Sequence, residues 1–477
     1  MIIAENEKTF KEIEIEIYKY VCGEGLKLIG LVLSQIDGKI AYDRDQKKYR
    51  DKGFRKGCIK TVMGEVEYWR RVYISKNEKG ESECHYLLDE ALELKSGVGQ
   101  MSENLCEKIV EAACEEPYRK AAERINEMSC QGISHMGVWN VTQEMGKRVI
   151  VQEQAAAERA KRFEGTGEIE TPVLFEEQDG IYLPLQGESR KKQGEHAEMK
   201  VGVAYSGWKK TGSKRYNTVD KVAYAGFEGV SEFSAGFEGV IAGHFNVDEI
   251  EKRVLNGDGA EWIKRSIIDE SVHYQLDKYH RNRAIDRYVG DDGRCEELRE
   301  MVYNNEIDKL LKTIHDYVDE SGDNEERQKE HENYEKLLSY YTNNKEGLAP
   351  YDKRGLNLPP ATGDIVYRGL GTMESNIFSL IGFRMKGRRA CWSINGGNRL
   401  AKLLTLKVTG RLKQMLEKIG EPQPETVSQP SVPPLSAGKI PEKVGKGWNG
   451  WIKASIPSTM EWLKDLCKIR FPIEKFF

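Results

Sequence analysis

The period of the hydrophobic pattern changes in a set order between residues 173 and 277, and that order limits the folds open to the chain. Three strand-patterned runs come first, at 173–185, 198–208 and 218–227. An amphipathic stretch at 233–245 follows, then a strand at 252–255, a helix at 260–268 and a last strand at 273–277. Strand side chains alternate faces while helical ones recur about every 3.6 residues, so each change of period marks a change of element. Three strands followed by alternating helix and strand predict a mixed sheet covered by helices. The pentapeptide Gly-Phe-Glu-Gly-Val occurs at 226–230 and again at 236–240, but on differently patterned segments, which reads as coincidence.

The same order of elements is that of an RNase H-like α/β core. Acidic residues stand at three telling places in and after it. Asp179, in Gln178-Asp179-Gly180-Ile181-Tyr182-Leu183, falls inside the first strand, so Ile181 and Leu183 share its side and Tyr182 points away. Asp258 ends its strand between Gly257 and Gly259, which permit close approach of backbone to substrate. Glu374, in Met373-Glu374-Ser375, opens a helix with Ile377, Phe378 and Ile381 behind it. Singly, each has a plain alternative, since Gly-Asp-Gly is a common turn and most Asp residues lie on surfaces. Jointly, three carboxylates suffice to hold two Mg²⁺ (or Mn²⁺) ions about 4 Å apart and to activate a water against a phosphodiester. His280 reads as a hydrogen-bonded edge histidine or, with Asp277 three residues earlier, as a group that orients substrate or supports the metal ligands.

Upstream of the core the texture differs. Residues 1–45 carry Phe10, Ile13, Ile15, Ile17 and Val21 in a pattern poorly resolved between periods 2 and 3.6. Residues 47–60 hold seven Lys/Arg against Asp51 alone, and run into an alternating segment around Gly64 that predicts a β-hairpin, with Arg55, Lys56 and Lys60 as candidate phosphate contacts. From 102 to 149 the spacing is helical. A break at 129–132 and a Ser134 N-cap give a helix-turn-helix layout, with Ala121, Ala122, Ile125, Val138, Trp139 and Val141 as its seam. Its second helix would present His135, Asn140 and Gln143 to a groove. A second basic stripe, 375–402, holds Arg384, Lys386, Arg388, Arg389, Arg399 and Lys402 without an acid. Trp392 beside it fits a core position better than a stacking platform. For either stripe alone a solvated surface is the commoner meaning.

The expected organisation is a basic hairpin region (1–100), a helix-turn-helix with helical connector (101–165), the first part of the core (166–285), an all-helical insertion (286–350), the last part of the core (351–410), and a Pro-rich linker and tail (411–477). At 477 residues more than one domain is expected. The nine cysteines show no C-x-x-C pair and no zinc-ligand spacing, so reduced structural thiols are expected. No apolar run approaches the roughly 20 residues of a membrane helix, and the N-terminus shows no signal-peptide pattern, which points to the cytoplasm. A net charge of −4 argues against a uniformly basic surface but not against local phosphate-binding stripes.

The segments 179–183, 256–264, 277–280 and 373–393 resemble the ISLre2 family of bacterial insertion-sequence transposases, which includes many proteins of the UPF0236 family and is distantly similar to Mutator-type transposases. The resemblance runs from about residue 47 to about residue 404. It implies a DDE transposase with Asp179, Asp258 and Glu374 as catalytic metal ligands, an all-helical insertion before the third, and Asp277 and His280 as a D-x-x-H signature. It further implies double-stranded DNA as partner, in the form of terminal inverted repeats and target DNA, with Arg384, Lys386, Arg388 and Arg389 beside the phosphate track. A homo-oligomer near the bacterial nucleoid is expected. Two other readings stay open: an inactive, element-derived DNA-binding or regulatory protein, and a metal-dependent nuclease without strand transfer.

Overall fold

Thr9 and Glu12 cap each other's backbone N–H groups and so start α1 (Phe10–Asp43), a helix of 34 residues. The computed structural model describes residues 9–420 except 95–97, 131, 165, 268–269, 291, 323–327 and 388. Of the expected linker and tail at 411–477, residues 412–420 are helical and the part after 420, like Arg388, lies outside the described residues. The chain divides into two units. The first takes the described parts of Met1–Ile109, Tyr118–Val138 and Glu417–Phe477, and the second takes Val110–Pro117 and Trp139–Leu416.

In the first unit, β1 (Arg50–Thr61) and β2 (Gly64–Lys76) form the expected hairpin, and β3 (Ser82–His85) adds to β2. The sheet packs on α1 and α2 (Leu87–Ala91) through Leu33, Ile36, Ile40, Val66, Tyr68, Tyr73, Leu87 and Leu88. Asp37 of α1, nearly fully buried, takes the Arg71 backbone N–H and its guanidinium, which ties helix to sheet. Phe10, Ile13, Ile15, Ile17 and Val21 stay exposed, because the steps of two from Ile13 to Ile17 spread them around a helix rather than onto one face. Helices α3 (Glu103–Glu115) and α4 (Tyr118–Met128) follow. Asn126 and Ile133 close the next turn by exchanging two hydrogen bonds, and Ser134 caps α5 (His135–Lys161) by accepting from Gly137.

The second unit is built on a five-stranded sheet of order β10-β9-β4-β5-β8. Its strands are β4 (Val173–Pro184), β5 (His196–Tyr205), β8 (Val222–Gly226), β9 (Lys252–Gly257) and β10 (Val272–Leu276). β5 is antiparallel to both β4 and β8, while β4, β9 and β10 run parallel. The helix α6 (Gly187–Gln193) links β4 to β5. Helix α7 (Val230–Ala242) packs Phe233, Phe237 and Ile241 on Leu174, Ala204 and Leu255 of one sheet face. On the other face Phe175 stacks among Tyr205, Trp208, Tyr351 and Tyr367.

Two expected strands are each broken in two. The run 198–208 divides at Ser206 into β5 and β6 (Gly207–Lys210), and 218–227 divides at Asp220 into β7 (Tyr216–Val219) and β8. Ser206 Oγ donates to Asp220 at 2.6 Å, pinning both breaks together, and Gly207 has φ +145° with Ile365 against it. The outer halves form a separate small sheet, β11-β6-β7, closed by β11 (Ile365–Val366). The expected helix at 260–268 is one turn, α8 (Glu261–Lys264).

After β10 come α9 (Lys278–Tyr288), α10 (Asp292–Tyr303), α11 (Ile307–Gly322), α12 (Gln328–Asn343) and α13 (Lys345–Leu348), which share an apolar core of Ile285, Leu298, Leu310, Ile314, Leu337 and Tyr341. Then α14 (Met373–Ile377), a π-helical turn at Phe378–Gly382 and α15 (Phe383–Met385) make one interrupted helix. Next along the chain come α16 (Ile394–Val408) and α17 (Leu412–Gly420). Lys402 of α16 is buried between Glu153 and Glu228, with its ammonium 3.1 Å from the Tyr224 ring centre. No helix among the described residues is long and apolar enough to cross a membrane.

Candidate functional site

β4 has six buried residues before Asp179 and turns partly open there, so Asp179 stands where the sheet interior ends. Ile181 and Leu183 are buried on its side of the strand and Tyr182 is exposed. The parallel neighbour β9 ends at Gly257, which pairs with Gln178, and this register brings Asp258 beside Asp179. Gly259 has φ +92° and a side chain there would press on Asn344 and Tyr340, so the residue after Asp258 must be small and left-handed. Tyr340 of α12 donates to the Asp258 carbonyl at 2.6 Å, holding the strand end from the helical segment.

Asp179, Asp258 and Glu374 line one cavity of about 590 Å³, together with Asp277, His280, Tyr279, Arg283, Met373 and Gly371. His280 Nε2 lies 3.7 Å from Asp179 Oδ2. Asp179's carboxylate raises the His280 pKa against the lowering effect of burial. Burial pushes the Asp258 carboxyl above its ordinary value, the Ala260 N–H opposes this, and the nearby Asp179 charge raises it further. Glu374 is exposed at the start of α14. Asp277 does not act as an open ligand. It caps α9 by accepting from the Tyr279 and His280 N–H groups, and Asn256 donates to its other oxygen. In that way it aims His280 at Asp179.

Beneath the cavity is a buried polar layer absent from the sequence expectations. Glu177, with no exposed surface, accepts from Tyr205 Oη, Asn256 Nδ2, the Gly371 and Thr372 N–H groups and Thr372 Oγ1. Burial pushes its carboxyl up, and the Thr372 and Tyr205 hydrogen bonds pull it down. The loop into Glu374 is thus fastened to the strand that bears Asp179. One sequence signal existed: Glu177 is two residues from Asp179 and so faces the same way. Glu198 of β5 had no such signal; burial raises its carboxyl, and the charges of Asp258 and Asp179 add to that. Gly180, diagonal to it on β4, leaves its side chain room.

Several cationic and groove-facing residues are placed differently from expectation. Arg384 is buried, donates to the Ala113 carbonyl and lies over Trp392, so it is bonded inside the fold rather than offered to phosphate. Lys402 is likewise internal. Gln143 is buried and Trp139 is 40% exposed, the reverse of their expected places, because the buried stripe of α5 runs through Val138, Val141, Thr142 and Met145. His135, Asn140, Lys386 and Arg389 are exposed. Arg55 is exposed, Lys56 pairs with Glu67 at 2.6 Å, and the Lys60 ammonium points to the Gly132 carbonyl.

The donor set suits a hard divalent cation: all oxygens, with His280 the one cation within ion-pair distance among the described residues. The three carboxylates do not close on a single point. Among the described residues, three ligand atoms within 4.8 Å of one another occur at His315, Asp316 and Asp319, an exposed group on α11 in which His315 pairs with Asp319.

Fold and cavity together define an α/β protein with a carboxylate site at the ends of parallel strands. The chain belongs to the uncharacterised protein family UPF0236, whose model matches residues 3–420. Two UPF0236 proteins of Caldanaerobacter subterraneus subsp. tengcongensis are each 26% identical over 432 residues, covering 86% of this chain and 84% and 80% of their own lengths. A further one from that organism, bearing eleven designations, is 25% identical over 394 residues, covering 81% of this chain and 75% of its own.

Proposed function

We propose that the chain is a DNA transposase with an RNase H-like core, which cleaves strands at the ends of an insertion sequence and joins the 3′-hydroxyl ends to target DNA. Three carboxylates from three distant segments lining one cavity carry this reading. The sheet order supports it, since three antiparallel-linked strands followed by two parallel ones match the element order expected of such a core. A relative with eleven designations in one strain accords with an element present in several copies.

Asp179, Asp258 and Glu374 would hold two Mg²⁺ or Mn²⁺ ions. Such ions supply an activated water or hydroxyl nucleophile and neutralise charge on the phosphorane-like transition state. The protein's own residues do the rest. His280, kept protonated more readily by Asp179, offers an N–H to a phosphate oxygen or the proton that a leaving oxygen needs. Glu177 and Thr372 keep Glu374's helix in register with the first strand. Tyr279, Lys278 and Arg283 on α9 line the wall where the flanking nucleotides would pass.

The test uses duplex DNA taken from both flanks of the reading frame, incubated with Mg²⁺. Asp179→Asn and Asp258→Asn are expected to lower nicking at least a hundredfold while leaving DNA binding intact. Unchanged nicking would sink the assignment, and nicking without joining would favour the hydrolytic nuclease.

A further inference from the structure

The expected phosphate track at 384–402 is partly buried, yet the second unit has another concentration of cations that no motif announced. The hairpin of β6 and β7 carries Lys209, Lys210, Lys214 and Arg215, all exposed, and Arg368 lies 3.7 Å over the Tyr216 ring centre beside it. Lys209 pairs with Asp364, whereas among the described residues no acid pairs with Lys210, Lys214 or Arg215. In a protein of net charge −4 this is a local excess of one sign. Thr211, Gly212 and Ser213 at the tip add no apolar surface of the kind that inserts into lipid.

The hairpin is also anchored to the cavity's framework. Ser206 and Asp220 pin its root, Trp208 packs on Phe175 and Tyr205, and Lys221 donates to Asn376, two residues from Glu374 on the same helix. β11, paired with β6, runs on to the loop that Glu177 clamps. The path from Asp179 back to Phe175, across to Tyr205 and out to Lys210 is at most roughly 35 Å at strand dimensions. One turn of B-form DNA is about as long.

We propose that the β6–β7 hairpin with Arg368 is a duplex-DNA contact surface, gripping the phosphate backbone within about one helical turn of the strand held in the carboxylate cavity. This rests on the phosphodiester reading of that cavity, and supplies the cations that Arg384 and Lys402 do not.

The test uses the full chain carrying Asp179→Asn, so that no strand is cut, with and without Lys210→Ala, Lys214→Ala and Arg215→Ala combined. Anisotropy of a fluorescent duplex of about 30 base pairs is read across a salt series. Each phosphate contact contributes about 0.9 to the slope of log K against log salt, so the triple variant should lose roughly 2 to 3 and bind about tenfold or more weakly. An unchanged slope with an unchanged thermal midpoint overturns the proposal, as does a loss confined to single-stranded DNA. If the wild-type chain nicks in Mg²⁺ but the triple variant binds like its parent, the catalytic reading stands and this surface falls. If nicking is absent but the slope drops as stated, the surface stands and the catalytic reading falls.

Discussion

Thr372 donates its backbone N–H to Glu177 at 3.0 Å, joining positions 195 residues apart and setting the start of the Glu374 helix against the Asp179 strand. Everything that converges on Glu177 is a donor, and these bonds only partly offset the burial that raises its carboxyl.

Glu177→Gln turns one acceptor into a donor facing donors, and should destabilise the protein by about 1–3 kcal/mol in urea unfolding. It should also lower nicking through displacement of Glu374. A pH series adds a sign. The folded carboxyl is raised, so its contribution is present in full below its ordinary value and is lost as pH rises through the raised one. The stability of the wild type relative to the Gln variant should therefore fall from acid to neutral pH.

Tyr340→Phe removes the hydroxyl bonded to the Asp258 carbonyl without emptying the space. A loss of about 0.5–1.5 kcal/mol is expected, with a fall in single-turnover nicking and no change in DNA affinity. Weaker binding at unchanged turnover would mean that the bond does not position Asp258.

Arg384→Ala separates the two readings of the 384–402 stripe. Since its guanidinium bonds Ala113 and covers Trp392, the variant should unfold about 1–3 kcal/mol more easily and keep the parent salt slope for DNA. A reduced slope at unchanged stability would restore it to the phosphate track.

Lys402→Met strands the buried Glu153 and leaves the partly buried Glu228 without its cation, and burial already raises Glu153. Breaking such a group from one side costs about 3–5 kcal/mol. Adding Glu153→Gln and Glu228→Gln to Lys402→Met should recover most of that in thermal unfolding.

Much of the architecture was legible from pattern. Period changes between 173 and 277 located all five strands of the large sheet, and the break at 129–132 with the Ser134 cap marked the turn between α4 and α5, because these signals are local. The two copies of Gly-Phe-Glu-Gly-Val fall on a strand end and on a helix, and their glutamates face Lys402 and Arg253 respectively.

What the sequence by itself determined, then, was the order of elements and three acidic positions spaced along it. Only the tertiary structure decided which charges meet. Arg384 and Lys402 look identical in sequence to the exposed Lys210 and Arg215, since burial depends on neighbours hundreds of residues away. Glu177 looked like one more strand residue until five donors from three segments closed on it. A side chain's partners across a fold set its charge, exposure and role, and no local spacing carries that information.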